Sequence, residues 1–151
     1  MEILRTREEK GFGLNLYLVD DNGRIKVKAS KRDSYGEKVL SAPLDVHIAI
    51  TNKCNLRCPY CYANDKNFLE HNDMTLEQII NVIDKCVDAN IFKISWSGGE
   101  PLCRPELFEI LKYAHKKGFK QSIITNGILI DIAELNRPNH QINKQAGNHY
   151  N

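Results

Sequence analysis

The sequence predicts an α/β fold in which a parallel sheet follows an N-terminal β-hairpin extension. Between Leu44 and Gly127, apolar strand-like runs alternate with amphipathic helical runs in the order strand, helix, strand, helix, strand. That alternation is the pattern of parallel strands joined by right-handed crossovers. Upstream, apolar and polar residues alternate on both sides of Asp20-Asp21-Asn22-Gly23, which is a hairpin signal. The expected organisation is therefore a hairpin and linker over 1–43, the parallel core over 44–130 and a tail over 131–151. At 151 residues the chain is the size of one ordinary domain and could bury about 70% of the surface its unfolded form exposes.

Residues 1–10 are dense in charge. Leu14, Leu16 and Leu18 then alternate with Asn15, Tyr17 and Val19, and the return strand sets Ile25 and Val27 against Arg24, Lys26 and Lys28. The basic residues read as a solvated face. Residues 30–43 are polar, contain Gly36 and end at Pro43, so they read as a linker.

Leu44 to Ile50 is a strand whose nearly continuous apolar character suits burial on both faces. His47 inside it reads as a hydrogen-bonded core histidine. Thr75 with Gln78 makes a capping box, and Leu76, Ile79, Ile80, Ile83 and Val87 recur at helical spacing to about Asp88. Cys86, at the edge of that stripe, reads as a small core residue. Ile91 to Ser97 is the second strand. Pro105 opens a second helix with Leu107, Phe108, Leu111 and Ala114 on its apolar side, and Lys116-Lys117-Gly118 closes it. Gln121 to Thr125 is the third strand, leading into Asn126-Gly127. Beyond Ile130 a helix could begin over Asp131 to Leu135, but the rest is asparagine-rich and almost without apolar residues, and disorder is expected there.

Charge says little about partners. Lysine and arginine number 21 against 19 acids, so nothing in the balance favours a nucleic acid or an anionic membrane. No apolar run approaches the roughly 18 residues of a membrane span, and the first ten residues lack a signal peptide's apolar centre. A cytoplasmic location is expected.

The chemistry concentrates in Thr51 to Tyr62, where Cys54, Cys58 and Cys61 fall within eight residues. Pro59 pushes Cys58 out of the helical region, so the segment should be a loop folded around what its thiolates hold. Five cysteines are an odd number, and the three crowded thiols in a reducing compartment read as metal ligands rather than bridges. Soft thiolates favour zinc or iron-sulfur. A structural zinc site wants four closed ligands, whereas a cluster can leave one iron open. The zinc alternative is a non-catalytic adapter completed by His47, His71, Cys86 or Cys103. The second motif, Gly98-Gly99-Glu100-Pro101, ends the second strand and should face the cysteine loop, because ligands of parallel sheets bind at the C-terminal strand ends. Two glycines let a ligand approach the backbone, and the Glu100 carboxylate with nearby carbonyls suits an ammonium group.

Cys54, Cys58, Tyr60 and Cys61, in the pattern Cys-x-x-x-Cys-x-aromatic-Cys after an apolar strand, resemble the signature of the radical S-adenosylmethionine (radical SAM) enzymes, and Gly98 to Pro101 resembles the same family's Gly-Gly-Glu-Pro motif. The resemblance covers Leu44 to Ile130. It implies that Cys54, Cys58 and Cys61 ligate a [4Fe-4S] cluster and act as ligands, not nucleophiles, with no catalytic side chain assigned. It implies that S-adenosylmethionine chelates the open iron, that Tyr60 lies beside the adenine, and that Gly98, Gly99, Glu100 and Pro101 receive the methionine amino group. Thr125 and Asn126 fall where the family often has the same tripeptide with Gly127. The implied reaction is reductive cleavage to a 5′-deoxyadenosyl radical, fed by an external electron donor, in a site that excludes water and oxygen.

The implied fold is the first three β/α units of a partial (β/α) barrel, an incomplete parallel barrel. From this follows the expectation of a truncated product, impaired alone, whose remaining strands might come from a complementing chain. A peptide or protein maturase is the subtype the resemblance suggests, with the hairpin as the element presenting a peptide substrate, although no second cysteine cluster of the maturase kind follows.

Overall fold

The computed structural model of the chain describes residues 2–9, 14–21, 24–31, 40–61 and 72–130. The Asn22-Gly23 turn, most of the linker, His71 and everything expected of 131–151 lie outside the described residues. The elements in order are β1 (Glu2–Glu9), β2 (Leu14–Asp21), β3 (Arg24–Lys31), β4 (Asp45–Ala49), α1 (Leu76–Asp88), β5 (Lys93–Ser97), a 3-10 turn (Pro101–Cys103), α2 (Leu107–Lys116) and β6 (Lys120–Ile123). They form two sheets, an antiparallel β1-β2-β3 and a parallel β4-β5-β6. Among the described residues the parallel sheet is open and no barrel closes. No described helix is long and apolar enough to cross a membrane.

The helices form where periodicity and caps place them. Thr75 caps α1, accepting from the Gln78 N–H while the Gln78 side chain accepts from the Thr75 N–H, which satisfies two otherwise orphaned donors. At the end of α2, Gly118 adopts φ +80° and Phe119 N donates to Ala114 O at 3.1 Å, the glycine allowing a left-handed turn that a side chain would strain. The helices pack Ile79, Ile83, Leu107, Ile110 and Ala114 against Ile48, Ile94, Trp96 and Ile123 of the sheet. Each fully buried side chain of this kind is worth about 1.5–3 kcal/mol. Cys86 belongs to this core, and burial pushes its thiol above the ordinary cysteine range.

The hairpin is in fact a three-stranded sheet, because the charged N-terminus pairs with β2 through a bulge between Ile3 and Arg5. Two of its charges are buried, while Glu2, Glu8 and, on the return strand, Lys26 and Lys28 are exposed as a solvated face should be. Arg7 and Glu9 are 5% and 1% exposed. Arg7 donates to the carbonyls of Ala42, Pro43 and Asn90 at 3.0–3.1 Å, and Arg5 donates to those of Ile91 and Lys117 at 2.5 Å. These carbonyls lie just before β4 and β5 and just past the ends of α1 and α2, where orphaned acceptors and the negative end of the helix dipole favour cations. The Arg7 Nε lies 2.6 Å from Glu9 Oε1, an ion pair whose alignment falls short of a hydrogen bond. Glu9 also accepts from the Ser41 N–H and hydroxyl. With Leu16 and Leu18 packed on Phe92, the antiparallel sheet covers the N-terminal end of the parallel one, opposite the cysteine loop.

β4, expected to be covered on both faces, is covered by helices on one. Alternate residues of the parallel sheet carry the helices' apolar partners, and the other face presents Asp45, His47, Lys93, Ser95, Ser97, Lys120 and Ser122, with Ala49. His47 is no core histidine. Its side chain is 63% exposed, and its Nε2 lies 4.0 Å from Asp45 Oδ2.

Candidate cofactor site at the C-terminal strand ends

The cysteine loop leaves β4 and is fastened at its base to the segment leaving β5. Ile50 N donates to Ser97 O (2.9 Å), Gly99 N to Thr51 O (2.7 Å) and Glu100 N to Lys53 O (2.8 Å). The two expected motifs are thereby brought side by side. Gly98 has φ +133°, and a Cβ there would overlap the Thr51 carbonyl oxygen; one on Gly99 would meet the Lys53 and Asn52 carbonyls. What approaches these glycines is the backbone of the cysteine loop, a tighter constraint than the ligand contact expected of them.

Two residues to which the sequence assigned no role complete the fastening. Asp73, just before the α1 cap, accepts from the Thr51 hydroxyl (2.6 Å) and the Asn52 N–H (2.7 Å). Arg104 is buried, and its Nη1 donates to the carbonyls of Ile50 (2.5 Å) and Met74 (2.8 Å). Such long-range polar contacts leave no periodic trace in a sequence.

The segment carrying the cysteines is a loop, as Pro59 requires. Cys54 is exposed, and Cys58 and Cys61 are half-buried; all three are free thiols. Cys61 N donates to Cys58 O at 3.1 Å, and Leu56 N lies 3.4 Å from the Cys54 sulfur as its donor. Among the described residues no three His, Cys, Asp or Glu side chains converge on one ion-sized position. A structural zinc site closes four ligands on a single ion, whereas a [4Fe-4S] cluster takes its thiolates on separate irons and can leave one iron open. Three soft donors on one loop fit such a cluster. Of the candidate fourth zinc ligands, those among the described residues are dispersed, with Cys86 in the core, His47 on the polar face and Cys103 half-buried in a cleft of about 370 Å³ beside Lys53, Asp73 and Arg104.

Glu100 is 1% exposed. Its Oε1 accepts from Leu102 N (3.0 Å) and the Thr125 hydroxyl (2.7 Å), and its Oε2 accepts from Asn126 N (2.8 Å). The carboxylate thus ties the exit of β5 to the exit of β6. Pro101 is buried, whereas Tyr60 is 72% exposed. Asn126 Nδ2 donates to Asn55 Oδ1 at 2.8 Å, so Thr125 and Asn126 join the constellation. All three strand ends meet at one place.

Residues 48–144 match the Radical SAM superfamily. The chain belongs to this superfamily. Among curated relatives, the radical SAM chain is 39% identical over 103 residues to a GTP 3′,8-cyclase of Clostridium perfringens (strain SM101 / Type A), covering 66% of this chain and 31% of that protein. It is 43% identical over 94 residues to an S-adenosylmethionine-dependent nucleotide dehydratase of Selenomonas ruminantium, covering 62% of this chain and 33% of that protein. It is 40% identical over 82 residues to an Fe-coproporphyrin III synthase of Methanosarcina barkeri (strain Fusaro / DSM 804), covering 54% and 21%. The matched segment spans at most about a third of these relatives.

Proposed function

We propose that Cys54, Cys58 and Cys61 hold a [4Fe-4S] cluster and that Gly98 to Pro101, with Thr125 and Asn126, receive S-adenosylmethionine. The observation that carries this reading is the fastening of the cysteine loop to Gly99 and Glu100, which sets the thiols and the motif for the amino group on adjoining backbones. Bound there, the cluster would supply the electron, drawn from an external donor, that cleaves the sulfonium to a 5′-deoxyadenosyl radical and methionine. The chain's own work is placement. Backbone carbonyls around the two glycines and the remaining lone pair of Glu100 receive an ammonium group, Tyr60 offers a ring for the adenine, and the antiparallel sheet of the 1–43 region closes the opposite end of the 44–130 core.

For the substrate, the polar face between His47 and Ser122 and the two relatives named for nucleotide chemistry favour a small polar molecule. The peptide substrate expected from the sequence has no counterpart in the names of the three relatives described above.

Anaerobic reconstitution with iron and sulfide tests the ligand set. The wild-type chain should develop iron-sulfur absorbance, Cys58→Ala should lose it, and Cys86→Ala should keep it at a stability cost of about 1 kcal/mol or more. Equal absorbance in Cys58→Ala and wild type would refute the assignment.

A further inference from the structure

Asn126 makes hydrogen bonds that reach across the whole site. Its N–H donates to Glu100 Oε2 (2.8 Å), its Oδ1 accepts from Ile128 N (3.0 Å), and its Nδ2 donates to Asn55 Oδ1 (2.8 Å), a residue 71 positions away and next to Cys54. Both asparagines are exposed. Water could satisfy them, so burial does not demand their bond. Each end of the Asn126 side chain makes a hydrogen bond within the protein, and its backbone is held by a carboxylate that is itself buried and anchored by Thr125 and Leu102. Glu100 therefore makes the β6 exit turn a rigid support, and the carboxamide extends that support to the cysteine loop beyond its fastened base.

We propose that Asn126, held by Glu100, is a positioning residue that latches the cysteine loop through Asn55 and so fixes where Cys54 presents its sulfur. The latch deepens the cluster reading and rests on it for its functional consequence, but its geometry can be measured without any cluster. An exposed hydrogen bond of this kind, lost from an otherwise intact fold, opens only the segment it restrains.

Hydrogen–deuterium exchange of the full metal-free chain provides the first test, with wild type, Asn126→Ala, Asn55→Ala and the double variant. Each single substitution should speed exchange over residues 52–61 on the order of tenfold. The double variant should add nothing, and α1 should stay unchanged. Asn126→Asp should retain the protection, because its carboxylate still accepts from Ile128 N and the Asn55 amide can turn to donate. Circular dichroism of these surface variants checks that the fold persists. Unchanged exchange in Asn126→Ala, or additive effects in the double variant, would overturn the latch.

The second readout is the rate at which a chelator bleaches the reconstituted cluster, expected to rise on the order of tenfold in both alanine variants. Faster exchange with unchanged bleaching would overturn the placement of Cys54 by the latch. Faster exchange in a chain whose wild type takes up no cluster would leave the latch standing and remove the cluster reading instead.

Discussion

Gly98→Ala is expected to cost at least about 3 kcal/mol of folding stability and to disrupt the site with it. Two penalties act together. At φ +133° an L side chain is strained, worth about 1–3 kcal/mol, and the new methyl would overlap the Thr51 carbonyl oxygen, which already accepts from Gly99 N at 2.7 Å. The backbone that must yield belongs to the cysteine loop, so the chain should lose iron-sulfur absorbance along with stability. Gly127→Ala is the control. It has φ +78°, but its nearest neighbour is the Ile130 Cδ1 at 3.8 Å, so only the conformational cost of about 1 kcal/mol applies. Urea unfolding of the two variants should separate them clearly. Equal small losses would mean that the two loops are not as tightly apposed as the hydrogen bonds between them require.

Arg7→Ala should destabilise the chain by about 3–5 kcal/mol, because it removes one member of a buried ion pair and leaves the other behind. Glu9 would remain 1% exposed without its cation, and three carbonyls would lose their donor. Against a typical total of about 5–15 kcal/mol, that loss is large. Arg7→Lys should recover little, since an ammonium cannot reproduce the fork that reaches Ala42, Pro43 and Asn90 together. Glu9→Gln added to Arg7→Ala should recover part by removing the stranded charge. The measurement is the denaturant midpoint at constant slope. A change below about 1 kcal/mol would show that β1 does not seal the parallel core.

The parts legible in the sequence are those with a repeating physical signature. Of the α1 stripe Leu76, Ile79, Ile80, Ile83 and Val87 read by spacing, all but Ile80 pack in or against the core, and Thr75 with Gln78 announces the start of α1 as expected. Parallel pairing of β4, β5 and β6 follows from strands alternating with helices. β1 went unannounced because residues 1–10 are dense in charge; the burial of Arg7 rests on carbonyls of distant segments and that of Glu9 on Arg7 and Ser41. The open polar face hid behind Val46, Ile48 and Ile50, whose apolar run suggested a strand covered on both sides. At the site, Cys54, Cys58, Cys61 and Gly98 to Pro101 were found as local motifs. Asp73, Asn55 and the buried part of Arg104 act through contacts between polar residues far apart in the chain, for which local spacing gives no sign.

The central claim is that the three thiols and the Gly98 to Pro101 segment form one cofactor site. Electron paramagnetic resonance of the anaerobically reconstituted and reduced chain, before and after addition of S-adenosylmethionine, tests it most directly. The account predicts an S = 1/2 cluster signal that changes shape when S-adenosylmethionine is added and that is absent in Cys58→Ala. A chain that binds one zinc tightly and takes up no cluster, or a cluster signal indifferent to S-adenosylmethionine, would contradict it.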